Sequence, residues 1–142
     1  MTSDEHGLKA FFDEYATVSF LDSPERHAAL YAPNFIAAGP AGSAVFANDL
    51  AFVDWLRKVR QFNRQTGMQS VEVVTLGQPA VLSPIQILVK VEWGARFNKT
   101  GDRLITFYIS YLLERSQDNF WKILAYIDEK DQMTEMRELG LL

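Results

Sequence analysis

Few side chains in this sequence could do chemistry, and their types narrow it quickly. There is no cysteine, so a thiol nucleophile, a disulfide framework and a thiolate metal site are excluded. The two histidines, His6 near the N-terminus and His27 in a short helical run, have no carboxylate at triad spacing and are expected to face solvent. No His/Asp/Glu cluster has ligand spacing, so no metal and no other cofactor is expected. What remains is oxygen chemistry. Tyr15 sits on the apolar stripe of the first helix and can donate a hydrogen bond to a ligand carbonyl. Asp128 ends the last apolar run and is followed by Glu129, Lys130 and Asp131; it is the carboxylate to test first as an acid or base. Asp13 and Glu14 flank Tyr15 but do not share its helix face. The stretch "ALYAPNFIAAGPAG", residues 29–42, carries a helix end into a short apolar strand over 34–38 and then a Gly-Pro-Ala-Gly turn. Ala37, Ala38, Gly39 and Pro40 offer nothing titratable, so no general base comes from that strand end.

The elements that must position these groups are read from period and punctuation. Thr2 and Glu5 fit a capping box, and Leu8, Phe11, Phe12 and Tyr15 recur at helical spacing to about Phe20. Ser23-Pro24 opens a short second helix that ends before Pro33. Asn48 and Asp49 cap a third helix reaching about Thr66, with Phe52, Trp55 or Leu56, Val59 and Phe62 on one stripe and Gly67 as its stop. The period then changes. Residues 70–82, 85–97, 103–115 and 119–128 are β-branched and aromatic, separated by prolines, "NKTGD" and "SQDN". In 85–97 an apolar set, Ile87, Val89, Val91 and Trp93, alternates with Lys90, Glu92 and Arg96, so one face is wet. In 103–115 both sets are largely apolar, which predicts a covered second face. The cover is either another part of the chain or a second copy packed across the sheet, and the pattern favours the second copy. Met133, Met136 and Leu139 or Leu141 predict a closing helix within 129–142.

The 142 residues make one domain, 48% apolar and 13% aromatic, with enough hydrophobic surface for a core and a lined cavity. A formal charge of −4 with no basic, aromatic-interleaved patch argues against nucleic acid. The uncharged run 28–48 is broken by Pro33, Asn34, Gly39, Pro40 and Gly42, so it does not read as a membrane span. The acidic N-terminus lacks the basic region of an export signal, and with no cysteine the expected location is the cytoplasm. Three helices followed by long meandering strands predict an α+β domain in which a curved antiparallel sheet wraps the helices around a cone-shaped space.

"ALYAPNFIAAGP", the "WKI" strand and this order of elements resemble the NTF2-like superfamily, in its ketosteroid isomerase and SnoaL-like polyketide cyclase branch, over nearly the whole chain to about Asp128. The resemblance implies a cone-shaped NTF2-like (cystatin-like) barrel. It also implies an oxyanion-binding tyrosine at Tyr15, a proton-moving acid where Gly39 stands and a second, protonated acid where Ser110 stands. Two of the three groups are therefore missing. Under the same resemblance Ser110 and Tyr108 share the concave face, and Trp55, Trp93, Val89, Val91, Ile123 and Ala125 wall the pocket. The expected function is binding of a small hydrophobic molecule in that pocket. A cyclase or isomerase built on Tyr15 and Asp128 is the alternative, and a non-catalytic dimeric module a further one.

Overall fold

The computed structural model describes residues 6–20, 23–101 and 103–141, and the Thr2–Glu5 capping box lies outside them. Helix α1 (Leu8–Val18) starts at Gly7, whose φ of 69° makes the turn into the helix. Pro24 takes the first position of α2 (Pro24–Ala28). Strand β1 (Tyr31–Gly39) begins at the tyrosine that sequence reading placed at a helix end. A two-residue turn, Pro40-Ala41, leads into β2 (Gly42–Ala47), a strand the sequence pattern did not announce. Helix α3 (Leu50–Gln65) is capped by the Asp49 carboxylate, which accepts from Phe52 N–H at 3.0 Å, and its stripe is Phe52 and Leu56, leaving Trp55 outside. The run 70–82 resolves into β3 (Met68–Leu76) and a two-residue β4 (Ala80–Val81). Strands β5 (Gln86–Phe97), β6 (Ile105–Arg115) and β7 (Trp121–Asp128) follow, and α4 (Gln132–Glu138) closes the chain.

The sheet order is β2-β1-β7-β6-β5-β3, with β4 beside β5; β1 and β7 run parallel and every other pair antiparallel. Register shifts between β3 and β5, between β6 and β7 and between β1 and β7 bend the sheet around α1. Its concave face supplies most of the core: Ile87, Val89, Val91 and Trp93 from β5, Ile109, Tyr111 and Leu113 from β6, and Ile123 from β7, packed on Phe12, Phe35, Phe52 and Leu56. The outer face of β6 keeps Tyr108 about 40% exposed, so no other part of the described chain seals it. Among the described residues no helix is long and apolar enough to cross a membrane.

Candidate functional site

The site is built on three strands whose inward rows meet beneath α1. In β6 the inward residues are Phe107, Ile109, Tyr111 and Leu113. Opposite them β7 would present Ile123, Ala125 and Ile127 if it alternated without interruption. It does not. The register with β6 slips at Leu124, so that Leu113 faces Ile123 while Tyr111 faces Tyr126 and Ile109 faces Asp128. One extra residue re-aims Tyr126 and Asp128 inward and turns Ala125 and Ile127 out. This bulge overturns the expected placement of Ala125, which instead pairs with Leu112 and Ile36 on the outer face. Ser110 and Tyr108 are corrected for a different reason: β6 alternates with Ile109, Tyr111 and Leu113 inward, so they belong to its outer row, where Tyr108 O–H donates to Glu92 at 3.1 Å and lies under Lys90.

Within the cone four aromatic residues form a hydrogen-bonded cluster. The hydroxyls of Tyr15 and Tyr31 are 2.7 Å apart, and Trp93 Nε1 donates to Tyr111 Oη at 3.0 Å. The Tyr15 ring packs on Trp93 (5.5 Å) and meets His27 edge-on (4.7 Å). Burial raises all three tyrosine pKa values well above the ordinary phenol value, so these groups stay neutral donors. Tyr126, less deeply buried, is pushed up to about 12 by burial and then by the charge of Asp128.

His27 does not face solvent as expected. It packs inward, its Nε2 is buried without a hydrogen-bond partner among the described residues, and burial followed by the Arg60 charge lowers its pKa to about 4. The second helix is too short for periodicity to settle which side of it is buried. Sequence reading also missed Tyr31, Tyr111 and Tyr126. A period-two reading of 31–39, which puts Tyr31, Phe35, Ala37 and Gly39 on one row, was the available signal for the first.

Between the cluster and α4 lies a hollow of about 220 Å³. Tyr15, Trp93 and Tyr111 stand on one side, Phe97, Ile105 and Phe107 line the sheet, and Gln132 and Met136 of α4 with Leu139 just past its end close it. Of the residues expected to wall the pocket, Tyr15 and Trp93 do so. Val89, Val91 and Ile123 are fully buried core beneath it. Trp55 stacks on Phe52 in a separate groove beside β2.

Asp128 lies outside the lining of the hollow, in an adjoining cleft with Gly39 and Tyr126, and is joined to α4 by a 3.0 Å hydrogen bond from Nε2 of Gln132, which also lines the hollow. Burial raises its pKa to about 6, against the pull of the Gln132 hydrogen bond. Its Cβ is 3.5 Å from the point a side chain on Gly39 would occupy, an ordinary contact distance. A carboxylate therefore stands beside the vacant strand end, delivered from the neighbouring strand. His6, by contrast, keeps its backbone C=O engaged with Trp121 Nε1 at the far end of the molecule. Among the described residues no three His, Asp or Glu side chains converge as a metal site requires.

A family model for NTF2-like protein (DUF6841) matches residues 4–131. No curated protein matches the sequence. A cystatin-like domain of unknown function from Nostoc punctiforme superposes with a TM-score of 0.69 at 13% identity, covering 100% of this chain and 88% of its own. Aln2 from a Streptomyces species gives 0.68 at 12% identity, covering 96% and 98%. A ketosteroid isomerase-like protein from Erwinia carotovora gives 0.53 at 18% identity, covering 92% and 98%. At these identities the likeness is one of fold.

Proposed function

The chain belongs to the NTF2-like DUF6841 family, and we propose that its hollow binds a small, uncharged, one- or two-ring molecule bearing a hydrogen-bond acceptor. The observation that carries this reading is the aromatic cluster at the hollow's wall. One bond joins Tyr15 and Tyr31, so only one of their two phenol hydrogens is used. Tyr111 accepts from Trp93, and among the described residues no acceptor takes its own hydrogen. A ligand carbonyl would satisfy donors that the protein leaves unspent. Size limits the ligand: a cavity of about 150 Å³ takes benzene, so 220 Å³ suits two fused rings and not a steroid. Charge limits it too, because the neutral phenols offer an anion no counter-charge and the charge of Asp128, felt at Tyr15 and Tyr111, repels it.

The test is a thermal shift with 2-tetralone, a bicyclic ketone, against naphthalene, which lacks the acceptor. The ketone is expected to raise the melting temperature, with affinity falling roughly tenfold (about 1.4 kcal/mol) in Tyr111→Phe. No stabilisation by either compound would reject the reading.

A second reading rests on Asp128. Its carboxyl is held near 6 in the cleft beside Tyr126 and the vacant Gly39 corner. A ligand reaching from the hollow past Gln132 would meet it as a proton-moving group, and the chain would then be an acid–base enzyme of the isomerase or cyclase type. On this reading turnover of an enolisable ketone, followed by solvent deuterium exchange, rises as pH passes through about 6 and is lost in Asp128→Asn. Exchange indifferent to that substitution would remove the enzyme reading and leave the binding one standing.

A further inference from the structure

Strand β2 is a sheet edge without the usual protections. Exposed edges in monomeric proteins are blunted by charge, proline, bulges or a covering element. The opposite edge, β3, follows that rule: it is bulged twice against β5 and carries Glu72, paired with Arg96 at 2.6 Å. Among the described residues, strand β2 has none of these. Its six residues, Gly-Ser-Ala-Val-Phe-Ala, are all exposed and keep unbroken register with β1, and no formal charge occurs from Ala28 to Asn48. Val45 is 74% exposed and Phe46 42%.

The backbone phase of that edge is fixed. Asn48 N–H donates to Pro33 C=O at 2.8 Å, and Gly39 pairs with Gly42 across the two-residue turn. Residues 42, 44, 46 and 48 therefore direct their backbone groups at β1, and Ser43, Val45 and Ala47 direct theirs outward. We propose that this edge joins a second copy of the chain, β2 antiparallel to β2, about a two-fold axis through Val45, so that two sheets become one. The pairing is self-complementary. Val45 meets the partner's Val45 with two N–H···O=C bonds, and Ser43 meets the partner's Ala47 on either side. Ala44 then faces the partner's Phe46, a small residue opposite a large one. Beside Phe46, between β2 and α3, a groove of about 340 Å³ walled by Phe35, Phe52 and Trp55 is open to apolar contact across the new edge. Each chain carries a formal charge of −4, and the uncharged hairpin lets two such chains meet with no ionised side chain on the paired strands.

This geometry differs from packing through the outer face of β6, and a cross-link separates the two. The chain has no cysteine, so Val45→Cys and Ser110→Cys each introduce a single thiol. Opposed residues of a hydrogen-bonded pair lie about 5.5 Å apart at Cα, within disulfide reach. Under copper–phenanthroline oxidation the Val45→Cys protein is expected to become a covalent dimer and the Ser110→Cys protein to stay monomeric. Val45→Lys is expected to convert a sedimenting dimer to a monomer with unchanged circular dichroism. A wild-type protein that sediments as a monomer at micromolar concentration overturns the proposal. Cross-linking of the Ser110→Cys protein in place of the Val45→Cys protein overturns it as well.

Discussion

Among the described residues other than the tyrosines, Asp128 and His27 are the side chains whose ionisation the fold opposes, and their pKa values move in opposite directions. Burial holds the Asp128 carboxyl at about 6, above its ordinary 3.8, so the folded chain keeps its proton longer than the unfolded chain. Its favourable contribution is complete below pH 3.8 and is lost as pH rises through 6. His27 is lowered from 6.5 to about 4, so the folded chain refuses a proton that the unfolded chain accepts, and stability falls as pH drops from 6.5 toward 4. The two effects overlap and partly cancel in mildly acidic solution. Asp128→Asn removes one of them. Thermal melts of that variant should match wild type near pH 3.5 and exceed it at pH 8 by about 1 kcal/mol, roughly 3 °C, once solvent screening of the partly exposed carboxylate is allowed for. A variant less stable than wild type at pH 8 would show that the ionised carboxylate is satisfied by partners, and the burial argument would fail.

At the scale of elements the hollow depends on one irregularity and one short helix. The irregularity is the bulge at Leu124, which brings Tyr126 and Asp128 to the face that strict alternation reserves for Ala125 and Ile127. The helix is α4, seven residues held by the Asp131 cap, the Gln132–Asp128 hydrogen bond and Leu141, which is 2% exposed against Ala95 and Phe97. Leu141→Ala should cost about 2–3 kcal/mol in denaturant unfolding and make the hollow accessible to a fluorescent dye such as anilinonaphthalene sulfonate. A cost near zero would mean that α4 does not seal the hollow. These elements also mark what was legible in the chain. Period and punctuation disclosed α1, α3 and the long strands, because a stripe of Leu8, Phe12 and Tyr15 or an alternation of Val89, Val91 and Trp93 repeats over enough residues to stand out. They did not disclose β2, whose small, uncharged residues read as a continued turn. Nor did they disclose the bulge, because a single inserted residue leaves no trace in composition while reversing every side chain after it. The misplacement of Ala125 follows from that; Ser110 and Tyr108 lie on β6, whose register with β5 is unbroken, and their expected face came from the resemblance alone.

For the whole molecule, a curved mixed sheet around α1 is a scaffold, and its chemistry is whatever side chains its concave rows present. Here the enclosed groups are neutral phenols, an indole and an imidazole nitrogen without a partner among the described residues, around a space of about 220 Å³, with the Asp128 carboxylate in the adjoining cleft. A small neutral bicyclic ligand in this space would be read directly by the chain's three tryptophans. Trp93 Nε1–H points at Tyr111 in the wall of the hollow, Trp55 lies in the groove beside β2, and Trp121 stands at the far end against Arg115. In a titration with 2-tetralone followed by indole N–H resonances in ¹⁵N–¹H correlation spectra, the Trp93 signal should move to saturation while those of Trp55 and Trp121 stay in place. A Trp93 signal that does not move, or movement confined to the other two, would contradict the account.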